Sequence, residues 1–111
     1  MGNLHSLISV IFSAPEAAPT EPIVLNTTST SVSLTWDAPA VELQNGVIRH
    51  YQIVAFEVNT NTSLTYRATA NTAFTVGELH PYYTYRFSVQ AVTVAAGPLS
   101  TSVSVLTLQD G

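Results

Sequence analysis

The run Leu79-His80-Pro81-Tyr82-Tyr83-Thr84-Tyr85 leads directly into Arg86-Phe87-Ser88-Val89-Gln90-Ala91-Val92. Its first half has the form Leu-x-Pro-x-x-x-Tyr. In its second half the alternate residues Tyr85, Phe87, Val89 and Ala91 are apolar, the period-2 pattern of a half-buried strand. A tyrosine at the head of such a strand can bury its ring and turn its hydroxyl back to a backbone group a few residues upstream. That arrangement is a tyrosine corner, a device of Greek-key β-sandwiches. Such an architecture brings no chemistry of its own, so function has to be sought on its surface.

The remainder of the chain carries the same period-2 signature in short runs broken by turn residues. Strands are expected over 23–26, 31–36, 47–57, 63–70, 73–76, 83–93 and 102–108. In the second of these Val32, Leu34 and Trp36 alternate with Ser31, Ser33 and Thr35, an apolar face backed by a wet one. In the third, Tyr51, Ile53 and Ala55 share a face. Asp37-Ala38-Pro39, Asn45-Gly46, Asn59-Thr60-Asn61-Thr62 and Ala95-Ala96-Gly97-Pro98 supply the breaks. No window supports a helix of useful length, and the spacing is too short for a βαβ unit. The expected fold is all-β: a seven-stranded, immunoglobulin-like Greek-key sandwich.

Residues 1–21 differ from this pattern. Residues 4–12 are mostly apolar, and residues 14–22 hold three prolines, which exclude a helix interior or a central strand. The expectation is a leader and Pro-rich linker over residues 1–21, with one domain over residues 22–109. The leader admits several readings. Met1-Gly2-Asn3-Leu4-His5-Ser6 fits the N-myristoylation pattern. The apolar run ending at Ser13-Ala14 resembles a signal peptide without its basic region. The favoured reading is an added or spliced segment outside the fold, and loss of residues 1–18 should cost less than about 1 kcal/mol.

Residues 22–108 resemble a fibronectin type III domain. Four features carry the resemblance: Pro22 with Ser29-Thr30-Ser31-Val32-Ser33-Leu34-Thr35-Trp36; Asn45-Gly46-Val47-Ile48 leading to Tyr51-Gln52-Ile53; the Leu79, Pro81, Tyr85 corner; and Ala96-Gly97-Pro98-Leu99-Ser100 before the last strand. The Asn45–Ile48 lead-in is most similar to the tandem repeats of receptor tyrosine phosphatases and neural cell-adhesion receptors. The resemblance implies two antiparallel sheets, three strands against four, with Trp36 packed between them and Leu79, Pro81 and Tyr85 as structural residues. It also implies a spacer or protein-binding role. The cell-attachment tripeptide of one well-known member is absent from the loop Val94-Ala95-Ala96-Gly97-Pro98, so integrin binding does not follow.

Charge and composition narrow the role further. The chain has three arginines, no lysine, seven acidic residues and a net charge of −4. Without a basic cluster, nucleic acid and anionic membranes are unsuitable partners. The absence of cysteine removes disulfides, thiolate metal sites and cysteine nucleophiles together. His5, His50 and His80 show no metal-ligand spacing, and Asp37, Glu42, Glu57 and Glu78 fall apart in loops and strand ends. There is no phosphate loop and no nucleophile elbow. A non-enzymatic domain with no cofactor, no metal and no small-molecule substrate is expected.

Two sequons, Asn26-Thr27-Thr28 and Asn61-Thr62-Ser63, make Asn61 and Asn26 glycosylation candidates in a secreted protein. The outward residues of the third and corner strands give a contact candidate. There Val54, Phe56 and Val92 are expected to form an apolar cluster, with Arg86 and His50 towards the other end. His50 itself should face solvent. The expected role is a spacer and protein-contact module from the extracellular, cell-surface part of a membrane-anchored adhesion or signalling receptor. Its partners would be another protein or neighbouring domains of the same chain. The alternative is an intracellular module of a giant cytoskeletal or muscle protein. A carbohydrate-binding sandwich is disfavoured because no loop concentrates aromatic residues.

Overall fold

The computed structural model describes residues 13–110. Seven strands follow one another: β1 (Ile23–Thr27), β2 (Val32–Thr35), β3 (His50–Glu57), β4 (Thr62–Ala68), β5 (Ala73–Val76), β6 (Thr84–Val92) and β7 (Val103–Leu106). They form a three-stranded sheet in the order β1-β2-β5 and a four-stranded sheet in the order β4-β3-β6-β7. All the pairings are antiparallel. This is the expected three-against-four sandwich. Among the described residues the one helical element is a 3-10 turn at Val41–Leu43, in a region expected to be loop.

Strict alternation builds the core. Tyr51, Ile53, Ala55 and Glu57 of β3 point inward, as do Tyr85, Phe87, Val89 and Ala91 of β6. Val32 and Leu34 close over them from β2, with Val76 from β5. Trp36 is buried just beyond β2 and meets Tyr51 edge-on, with ring centroids 5.4 Å apart. On the wet face of the smaller sheet, Ser33 and Thr75 share a hydrogen bond of 2.9 Å between strands.

The corner closes as its sequence implies. The Tyr85 ring is fully buried, and the backbone N–H of His80 donates to its hydroxyl at 2.8 Å. Thr107, also buried, completes the arrangement. Its hydroxyl donates to the His80 carbonyl at 2.6 Å and accepts from the Tyr83 N–H at 2.9 Å. Both backbone groups of His80 are therefore satisfied by side chains that arrive from β6 and from just past β7. Leu79 is buried beside them, its N–H donating to the Thr30 carbonyl in the β1–β2 turn. The bend holds Tyr82 at φ 54°, a left-handed conformation uncommon for a bulky residue. Its N–H donates to the Leu108 carbonyl, which anchors that strain to the last strand's exit.

Two expectations are corrected. β3 begins at His50 rather than at 47, because Asn45 (φ 57°) and Gly46 (φ 143°) bend the chain, and Val47 is left exposed before pairing starts. The Pro-rich stretch is not a detached linker. The N–H groups of Ser13, Glu16 and Thr20 donate to the carbonyls of Asn45, Leu43 and Asp37, and Pro15 and Pro19 are buried. Pro15 lies so close to Gly97 that a Cβ there would stand 2.9 Å from the proline ring. These contacts put 13–20 against the sandwich. Both readings of 1–12, as acyl acceptor or as signal segment, lie outside the described residues.

Candidate functional site

A surface role turns on what the outer face of the four-stranded sheet presents. Along β3 the outward side chains are His50, Gln52, Val54 and Phe56; along β6 they are Arg86, Ser88, Gln90 and Val92. The two strands are neighbours, and their register pairs His50 with Val92, Gln52 with Gln90, Val54 with Ser88 and Phe56 with Arg86.

That register breaks the expected apolar cluster. Antiparallel pairing sets the end of β6 against the start of β3, so Val92 stands beside His50 and Arg86 beside Phe56. Six residue steps along β3 separate His50 from Phe56, about 20 Å. Val54 and Phe56 remain together, half-buried, between Thr65 and Ser63 of β4 and Ser88 and Arg86 of β6. They form a two-residue apolar spot beside one guanidinium.

The other end of the sheet holds a structure that the sequence did not suggest. A cavity of about 520 Å³, open to solvent, is lined by Arg49, His50, Arg67, Thr69, Val92, Thr93 and Val94. A smaller hollow of about 110 Å³ shares Arg49, Thr93 and Val94 with it and adds Asn45, Gly46 and Val47. Two of the chain's three arginines thus meet at one place. The backbone of Arg49 is placed by its main-chain N–H, which donates to the Val92 carbonyl, and that of Arg67 by its pairing opposite Gln52. Thr93 has already committed its hydroxyl to the Ser13 carbonyl at 2.6 Å. Thr69 lies one residue past Ala68, which pairs with Tyr51.

His50 corrects the expectation of a solvent-facing ring. It occupies the outward position, yet its Nε2 is buried and has no hydrogen-bond partner. Burial pushes its pKa below the ordinary histidine range, and the positive charge of Arg67 pushes it the same way.

The remaining candidates are dispersed. Asn61 is exposed at φ 56° in the β3–β4 hairpin, and Asn26 is exposed on the edge strand β1. His80 is exposed at the corner, its ring 4.7 Å from that of Tyr83. Glu57 is buried and accepts from the Thr60 hydroxyl at 2.7 Å. Among the described residues no three of His, Cys, Asp and Glu come together as metal ligands. No helix among them is long and apolar enough to cross a membrane.

The family described as Fibronectin type III domain matches residues 17–106. Curated relatives include the cell adhesion molecule DSCAML1 of Homo sapiens, 36% identical over 110 residues, covering 93% of this chain and 5% of that protein. Receptor-type tyrosine-protein phosphatase F of Danio rerio is 36% identical over 95 residues, covering 85% of this chain and 5% of that protein. The chain thus spans about one-twentieth of the length of the curated relatives it matches. Among solved structures, the FN5 domain of Drosophila Lar superposes with a TM-score of 0.71 at 26% identity, covering 87% of this chain and all of that one. Domains A168–A170 from titin give 0.77 at 24% identity, covering 87% of this chain and 33% of that one, a likeness of fold alone. A sandwich closed by a tyrosine corner, matched in sequence to modules of adhesion molecules and a receptor-type phosphatase, is a structural or protein-interaction domain, and the chain belongs to the fibronectin type III family.

Proposed function

We propose that this domain serves as a non-enzymatic spacer and protein-contact module in the extracellular part of a multidomain, membrane-anchored cell-surface receptor. The observation that carries this reading is 36% identity to a cell adhesion molecule along nearly the whole chain. Two further features support it. Both sequon asparagines, Asn61 and Asn26, are exposed, so a glycan on either would leave the sandwich undisturbed. The half-buried Val54 and Phe56, with Arg86 beside Phe56, offer a compact spot of the apolar-plus-arginine kind that anchors protein contacts.

The test is secretion. The chain is expressed behind a secretory signal in a eukaryotic cell and treated with peptide N-glycosidase, and Asn-to-Asp conversion is mapped by mass spectrometry. Conversion at Asn61, and at Asn26 to a lesser extent, is the expected result. Secreted, folded protein carrying no glycan at either position would remove this support and favour an intracellular module of a giant cytoskeletal or muscle protein.

A further inference from the structure

The chain is acidic overall, at −4, and its positive charge is scarce. Two of its three arginines nevertheless line one cavity, whose lining contains no carboxylate. Beside them stands His50, another lining residue, whose buried Nε2 has no hydrogen-bond partner. Guanidinium groups that face a hollow rather than a carboxylate are poised for an anion from outside, and their planar fork suits a carboxylate in two-point contact.

We propose that this cavity, at the Arg49–His50–Arg67 end of the four-stranded sheet, is a docking pocket for an aspartate or glutamate side chain of a partner protein, with an aliphatic residue next to it. The inference deepens the protein-contact reading above and rests on it. Arg49 and Arg67 hold the carboxylate, and Thr69 supplies a hydroxyl. Thr93, already bonded to Ser13, serves as wall. The adjoining 110 Å³ hollow, walled in part by Val47 and Val94, takes the aliphatic neighbour. A single acidic side chain fits this arrangement better than a sulfated polysaccharide. A polyanion needs a track of cations, and here two guanidiniums stand on a domain whose remaining charge repels it. Residues 1–12 contain no acidic side chain, so that segment does not supply the carboxylate.

The isotope-labelled 111-residue chain is titrated with acetyl-Glu-Val-amide and with acetyl-Gln-Val-amide, and amide and imidazole shifts are followed by NMR. The expected result is saturable change centred on Arg49, His50, Arg67 and Thr69 with the glutamate peptide, and binding weaker by about tenfold or more with the glutamine peptide. Arg49→Gln and Arg67→Gln should each weaken the glutamate peptide by about tenfold. Ser104→Ala on β7 should leave it unchanged, and the spectral dispersion of each variant checks its fold. Equal binding of the two peptides, or no saturable shift, would overturn the proposal. So would occupancy of these residues by a heparin tetrasaccharide but not by the peptide, or shifts that grow with protein concentration alone and reveal a second copy as occupant. None of these readouts depends on whether the sequons are glycosylated, so failure here is separable from failure of the secretion test.

Discussion

Tyr85→Phe isolates the corner hydrogen bond from everything else Tyr85 does. The ring is fully buried, stacked 5.9 Å from Phe87 and tilted 6.3 Å from Tyr83, and phenylalanine keeps those contacts. What disappears is the acceptor of the His80 N–H, a bond of 2.8 Å at a part-buried position. A bond of this kind contributes about 1 kcal/mol net, and a backbone donor stranded away from water costs about 1–3 kcal/mol. The variant should therefore lose about 1–3 kcal/mol in urea unfolding with an unchanged m-value, and its Tm should fall by roughly 4 °C or more. Thr107→Val tests the same node from the other side, since it removes the partner of the His80 carbonyl. Because both side chains serve His80, the double variant should lose less than the sum of the two single losses. A loss for Tyr85→Phe below about 0.5 kcal/mol, with an unchanged exchange rate for the His80 amide, would refute the corner as a stabilising device.

Trp36→Ala should cost about 3–5 kcal/mol in the same assay, because it opens a cavity beside Tyr51 between the sheets. Phe56→Ser should change stability by less than about 0.5 kcal/mol yet weaken partner binding by about 1–2 kcal/mol, read by calorimetry against whichever partner is found. Deleting residues 1–21 should cost about 1–3 kcal/mol in urea unfolding, since it removes bonds to Asn45, Leu43 and Asp37 and the packing of Pro15 and Pro19; a loss below that would return the segment to linker status. Burial raises the pKa of Tyr51 and of Tyr85, in the latter case against the His80 hydrogen bond. The folded state then keeps these protons longer than the unfolded state. Their contribution is fully present below about pH 10 and declines above it, which unfolding at about pH 9 and about pH 11 with tyrosinate absorbance will detect.

The corner and the core were legible because each rests on a local pattern. Tyr85, Phe87, Val89 and Ala91 alternate without a break, and alternation fixes the face whatever the partner strand is. The contact site depended on something alternation cannot supply, namely which residue of β3 stands opposite which residue of β6. The antiparallel pairing places Val92 beside His50 and away from Phe56, whereas face alone puts Val54, Phe56 and Val92 together. Arg49 and Arg67 were invisible for a related reason. One precedes β3 and the other sits in β4, and only the register set by the β3–β4 hairpin brings them to one cavity. The association of residues 13–20 with the domain was hidden because proline removes the strand signal. Those residues hold on through a few separated backbone bonds and two buried rings rather than through a ladder.

The path of the chain through the sandwich has a mechanical consequence. At Ser13 the backbone is tied to Asn45 and to Thr93, just beyond the C-terminal end of β6, whereas at Leu108 it is tied to Tyr82 and Thr28, just before the start of β6. The nine residues of β6 lie between these two anchorages, roughly 30 Å of extended chain. A pull applied at Ser13 and Leu108 therefore acts along the strands. Inter-strand bonds of antiparallel pairs lie across that direction. Tension loads the β1–β2 and β6–β7 pairs in shear, where their bonds resist together, rather than by peeling, where they would yield one after another. A module threaded this way resists extension until several bonds fail at once, the behaviour of a stiff link under load.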